Sequence, residues 1–111
     1  MIQELKIVHP KAKKEHICMY CGCTIEKGEV YERQTNVYDG QVYDWVCHTD
    51  CQKLAQELRM FDDCDEGLTE EDFLEFVNDY IGEHYRENDD VPEHVVNMSK
   101  IEQVRKILSE L

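Results

Sequence analysis

HICMYCGCTIEKGE, residues 16–29, is the stretch on which the fold of this chain turns. It holds three cysteines within six positions, preceded by a histidine and interrupted by a glycine. Cys18 and Cys21 have the two-residue gap of a zinc knuckle, which lets both thiolates face one ion while nearby amides turn toward the sulfurs. Gly22, directly after the second of them, suits the tight left-handed turn that a knuckle needs. Cys23, two residues further on an extended exit, has the wrong distance and direction to share an ion with Cys18. His16 precedes the first ligand by two residues and is at most a neighbour of the site.

A matching pair is expected from WVCHTDC, residues 45–51. His48 and Cys51 lie three apart, a spacing that places both on one side of a helix start. Cys47 and Cys51, four apart, offer the same geometry. Between the pairs lies EVYERQTNVYDGQVYDWVC, two Tyr/Val-rich alternating runs joined by Asp39-Gly40, a strong signal for a two-residue hairpin turn. Taking that turn literally, Tyr38 faces Gln41, Glu32 faces Cys47 and Tyr31 faces His48, so the hairpin returns residue 48 to the knuckle. A Cys-Cys-His-Cys set leaves no open coordination position, so one Zn2+ per chain at Cys18, Cys21, His48 and Cys51 is expected to be structural. Its binding would contribute folding free energy on the order of 10 kcal/mol. The glycine and hairpin after Cys21 argue against a thioredoxin-like redox pair, which needs a strand–helix context.

The totals agree with a small domain in need of such a staple. The chain has 111 residues, 41% of them hydrophobic, and small cores commonly rely on metals or disulfides. No run of about 18 apolar residues is present, and the opening MIQELKIVHPKAKKEH lacks an apolar signal region. The expected compartment is the reducing cytoplasm, where six cysteines read as ligands or free thiols. Net charge is −13 and unevenly spread. Residues 1–61 carry nine acidic and eight basic side chains, residues 62–94 carry fourteen acidic and one basic (Arg86), and the last seventeen carry two and three. The acidic block repels phosphate and disfavours nucleic-acid binding through it.

The expected fold class is α+β. It divides into a polar arm over residues 1–15 with a short strand near Leu5–Val8, a zinc-binding module over 16–60, and an acidic helical extension over 61–111 packed on it. A first helix is predicted from Thr49 to about Met60, with Cys51, Leu54, Ala55 and Leu58 on one stripe. FDDCDEGL reads as a loop, and Thr69 with Asp72 forms a capping box. The helix it opens runs to about Tyr85, with Phe73, Val77, Tyr80, Ile81 and His84 on one face. ENDDVPEHVVN reads as a second loop. Ser99 and Glu102 cap a final amphipathic helix carrying Ile101, Val104, Ile107, Leu108 and Leu111.

With CMYCGCTIEKGEVY, then Trp45 and HTDC ahead of a helix, the chain resembles a treble-clef zinc finger. It is similar to the finger of poly(ADP-ribose) polymerase type, which runs Cys-x-x-Cys, I-x-x-G-E, an aromatic with Trp, then His-x-x-Cys. It is similar also to small uncharacterised zinc proteins of bacteria and their phages. The resemblance covers residues 16 to about 58 and places Cys18, Cys21, His48 and Cys51 on the ligands, Gly28 on the turn and Trp45 on the packing aromatic. Trp45 stands three residues before the histidine rather than two. Between the ligand pairs only Lys27 and Arg33 are basic, against Glu26, Glu29, Glu32, Asp39 and Asp44, so the DNA-break recognition of that finger does not follow.

A calcium loop in DCDEGLTEEDF is rejected, because with Gly67 at the sixth position the twelfth is Phe73 in place of a bidentate Glu. A treble-clef nuclease would need further histidine or asparagine ligands on the first helix, which offers none. His84 and His94 read as packed or solvated, and Cys64, among acidic neighbours, as unreactive. The expectation is a non-enzymatic zinc-binding adaptor with a protein partner, no catalytic residues and no membrane contact. An acidic inhibitor of a nucleic-acid-binding protein is one alternative. A DNA-binding finger is another, with Lys6, Lys11, Lys13 and Lys14 of the arm as its basic patch.

Overall fold

The Asp39-Gly40 turn organises the larger sheet of the computed structural model, which describes residues 3–63 and 68–111. Both turn residues have positive φ, 51° and 78°, the combination a type I′ turn demands, and its twist matches that of the strands it joins. Strands β4 (Tyr31–Tyr38) and β5 (Gln41–His48) pair in the register read from the turn: Tyr38 opposite Gln41, Glu32 opposite Cys47, Tyr31 opposite His48. The strand expected near Leu5 is longer and integral to this sheet. β1 (Gln3–Val8) pairs antiparallel with β4, with a register shift between Glu4 and Lys6, giving the order β1-β4-β5.

Two short strands, β2 (His16–Ile17) and β3 (Thr24–Ile25), pair with each other and bracket the knuckle residues between them. The segment after β1 is tied to the module by backbone hydrogen bonds from Ala12 N to Glu29 O and from Gly28 N to Ala12 O, both 2.8 Å. Gly28 sits at φ 91°, a conformation that L side chains rarely adopt.

Helix α1 (Thr49–Glu57) starts where β5 ends, and Cys51, Leu54 and Ala55 are its buried stripe. It stops short of the expected Met60 because Arg59 turns into the left-handed region at φ 55°. Met60–Asp63 then form a 3-10 turn within the stretch expected as loop. Cys64 and Gly67, and with them the centre of the rejected calcium loop, lie outside the described residues. Helix α2 (Glu70–His84) opens on the expected capping box of Thr69 and Asp72. Phe73, Val77 and Ile81 are buried, Tyr80 is half-buried and His84 is exposed, so the apolar face ends a turn earlier than the spacing predicts. The second expected loop contains a short helix, α3 (Glu93–Val96), entered after Pro92 and closed by Asn97. Helix α4 (Lys100–Glu110) carries the Ser99–Glu102 capping box and buries Gln103, Val104 and Ile107, while Leu111 stays exposed.

One apolar cluster runs from the knuckle through α1 and α2 to α4. Tyr20, inside the knuckle, stands edge-on to Trp45 at 5.0 Å and stacks on Phe73 of α2 at 4.9 Å. Arg105 of α4 reaches Asp50 at the start of α1 and Glu29 after the β3 turn, both at 2.9 Å. These contacts seat α2 and α4 on the cysteine-bearing module. The architecture is thus α+β, with two antiparallel sheets and four α-helices among the described residues.

Candidate metal centre

Four side chains from three elements converge. Cys18 and Cys21 come from the knuckle, His48 from the last position of β5, and Cys51 from the first turn of α1. Their ligand atoms all lie within 4.8 Å of one another and all four residues are buried. Sγ of Cys21 is 3.3 Å, and Sγ of Cys51 3.8 Å, from Nδ1 of His48. A tetrahedral zinc with sulfur at about 2.3 Å and nitrogen at about 2.0 Å sets its ligand atoms roughly 3.5–3.8 Å apart, so the cluster is of the right size for one ion.

The backbone of the knuckle explains the placement of the first pair. Gly22 adopts φ 75° and donates from N to Cys18 O at 3.0 Å, while Cys18 N donates to Cys23 O at 3.0 Å, closing the loop. A Cβ on Gly22 would stand 3.0 Å from Oε1 of Glu70, the tip of an exposed side chain that can swing aside, so the positive φ is the reason for glycine there. The closed loop aims N–H groups at sulfur: Tyr20, Cys21 and His48 amides each donate to Cys18 Sγ at 3.4 Å, and the Cys23 amide to Cys21 Sγ at 3.4 Å. Such donors favour the thiolate form, and the N-terminus of α1 does the same for Cys51.

The imidazole is fixed from its far side. Nε2 of His48 is 3.2 Å from the carbonyl oxygen of Thr24, which can only accept, so Nε2 carries the hydrogen and Nδ1 presents its lone pair to the sulfurs. Three sulfurs share one buried space, and their proton affinities split. Hydrogen bonds from the Cys21 and Cys51 thiols pull Cys18 far below the ordinary thiol range. Those same bonds to Cys18 are the chief force pushing Cys21 and Cys51 up. One thiolate is accommodated by sharing protons; three would require a cation in their midst. The donor set and the geometry therefore fit a single structural zinc.

The other cysteines and histidines among the described residues stay out of the cluster. Cys47 is fully buried but stands opposite Glu32, and burial raises its thiol. Cys23 is half-buried and contributes its amide rather than its sulfur. His16 packs its ring against Tyr31 at 4.9 Å. His84 lies on Tyr80 at 4.1 Å, and His94 is exposed on α3. The arm lysines Lys6, Lys11, Lys13 and Lys14 are exposed.

A feature that sequence reading missed lies on β4, where Glu32, Gln34 and Asn36 are all buried. Gln34 Nε2 donates to Glu32 Oε2 at 2.6 Å and approaches Gln52 Oε1 of α1 at 3.3 Å, while Nε2 of His9 is 3.0 Å from Glu32 Oε1. The run was expected only as one Tyr/Val-rich alternating strand of the hairpin, with no burial assigned to its polar residues. Burial of such groups is tolerated because they satisfy one another. Trp45 Nε1, on the same face, is buried without a partner.

No helix among the described residues is long and apolar enough to cross a membrane. Compared with protein-family models, curated proteins and solved structures, the chain matches none of them.

Proposed function

We propose that this chain is a non-enzymatic zinc-stabilised interaction module whose metal holds together a treble-clef-like unit of knuckle, hairpin and helix. The carrying observation is the closed, buried Cys3His set. All four positions of a tetrahedral ion would be taken by protein, leaving none for substrate or water. The resemblance to the poly(ADP-ribose) polymerase-type finger and to the small bacterial and phage zinc proteins accords with that order of elements. A protein partner suits the chain better than nucleic acid, because its charge of −13 opposes phosphate. Metal analysis and cobalt substitution test the reading. One zinc per chain is expected, and the cobalt form should show a tetrahedral thiolate spectrum unchanged by added azide or cyanide. A spectrum that responds to such ligands would establish an open position and overturn the non-enzymatic assignment.

An acidic inhibitor of a nucleic-acid-binding protein is the second reading, favoured by one observation on α2. Glu71, Glu75, Asp79 and Glu83 are exposed or nearly so and recur every four residues, which sets carboxylates about 6 Å apart along one stripe. A basic partner would dock there through salt-sensitive contacts. Affinity capture in 50 mM and 500 mM NaCl separates the two: the inhibitor reading requires a basic partner that is lost at the higher salt.

A further inference from the structure

We infer that the cleft between the C-terminus of α2, the segment entering α3, and α4 is a binding site for a small organic anion, a phosphate or carboxylate on a compact apolar body. The cleft measures about 400 Å³, within the size range of small-molecule sites. Residues 62–94 contain fourteen acidic side chains and only three that are basic or imidazole: His84, Arg86 and His94. All three line this one cleft, and Lys106 of α4 joins them. The negative end of the α2 dipole accounts for a cation at Arg86. It does not account for His94 and Lys106 arriving at the same place from two other elements.

The walls are pre-formed. Val95 is buried beneath the cleft and Pro92 stiffens its rim. The Tyr85 hydroxyl donates to Glu110, and the Lys106 ammonium lies 5.2 Å from the centre of the Tyr85 ring. Glu110 is thereby engaged by both Tyr85 and Lys106. Glu87 is the other carboxylate lining the cleft. Among the described residues Arg86 takes part in no ion pair, so its guanidinium is available for bidentate contact with a carboxylate or phosphate. His84 is held against Tyr80 at 4.1 Å. The two histidines are not a second metal site, because the described residues bring together no third ligand with them.

The test is an amide-resolved NMR titration of the full zinc-loaded chain with phenyl phosphate, with benzoate as the carboxylate arm and benzyl alcohol as the uncharged body. Saturable shifts confined to residues 84–87, 92–95 and 106–110 are expected with phenyl phosphate or benzoate, at about 1 mM for so small a probe. Benzyl alcohol should not saturate at tenfold higher concentration. Arg86→Gln, an exposed change that removes no ion pair among the described residues, should leave the spectrum folded and weaken binding about tenfold. Absence of saturable shifts with either anion, an equal response to benzyl alcohol, undiminished affinity in R86Q, or shifts centred on Lys11–Lys14 would each overturn the site.

Discussion

Cys47 and His48 are adjacent, yet side chains alternate along a strand, so only one of them can point into the metal cluster. Nδ1 of His48 lies 3.3 Å from Cys21 Sγ, which selects the histidine. His48→Ala should therefore abolish stoichiometric zinc, measured by atomic emission on dialysed protein. Cys47→Ala should retain one zinc and lose about 1–2 kcal/mol of stability from its cavity, read by urea denaturation. Proton competition acts at the same atoms. Sharing with Cys18 holds Cys21 and Cys51 above the ordinary thiol range in the metal-free state, so loading zinc displaces their protons. A bound metal requires thiolates and so depresses their effective pKa. Its stabilisation is present above the ordinary thiol and imidazole range at full strength and is lost as pH falls. Two thiol protons are released per ion, and a third where the metal-free chain unfolds and Cys18 reverts to an ordinary thiol, so zinc affinity should drop on the order of a hundredfold to a thousandfold per unit of pH below neutrality. Chelator competition at pH 7.5 and 6.0 checks this, and a pH-independent affinity would refute it.

At the scale of elements, the predictions concern termini and turns. The Thr69 hydroxyl accepts from the Asp72 amide at 3.1 Å, satisfying one of the first-turn donors of the helix. Thr69→Ala should cost about 1 kcal/mol, with zinc content unchanged. Gly22→Ala is the opposite case. It forces an L residue to φ 75°, so it should destabilise the fold by about 1–2 kcal/mol and weaken zinc retention as well. Measuring metal and stability together distinguishes the two variants. Both capping boxes were legible because their partners lie three residues apart. The end of α1 was not. Its stop depends on Arg59 entering the left-handed region, and no glycine or proline marks it.

For the whole molecule, the metal and the charge act in opposite directions. The cluster of Cys18, Cys21, His48 and Cys51 ties the knuckle to the hairpin and to α1, and Tyr20 carries that order onward through Phe73 to α2. Chelation should therefore remove helix signal from α2 and α4 as well as order around the knuckle, as a single transition by circular dichroism. Retention of native helix signal with no metal bound would show that the helices fold independently. Charge works against compaction: −13 on 111 residues repels itself. Raising NaCl from about 20 to 300 mM should lift the melting temperature of the zinc-loaded protein by about 2–5 °C. The surface ion pairs of Arg105, half-exposed as they are, would offset little of that gain.

What the sequence determined by itself is what neighbouring residues decide. Asp39-Gly40 set the hairpin register, Gly22 the knuckle turn, Thr69 and Ser99 the helix starts, and spacing the two candidate ligand pairs, with Cys47 still open beside His48. Each rests on the conformational range of one residue or on partners a few positions apart. The tertiary structure alone decided the rest: β1 as the third strand, the buried Glu32–Gln34–Asn36 row, α3, and the meeting of His84, Arg86, His94 and Lys106 in one cleft. Polar residues on a strand read the same whether water or protein covers them. Side chains twenty residues apart carry no local mark of adjacency. Their burial and convergence follow from packing over the whole chain, which no short window of residues contains.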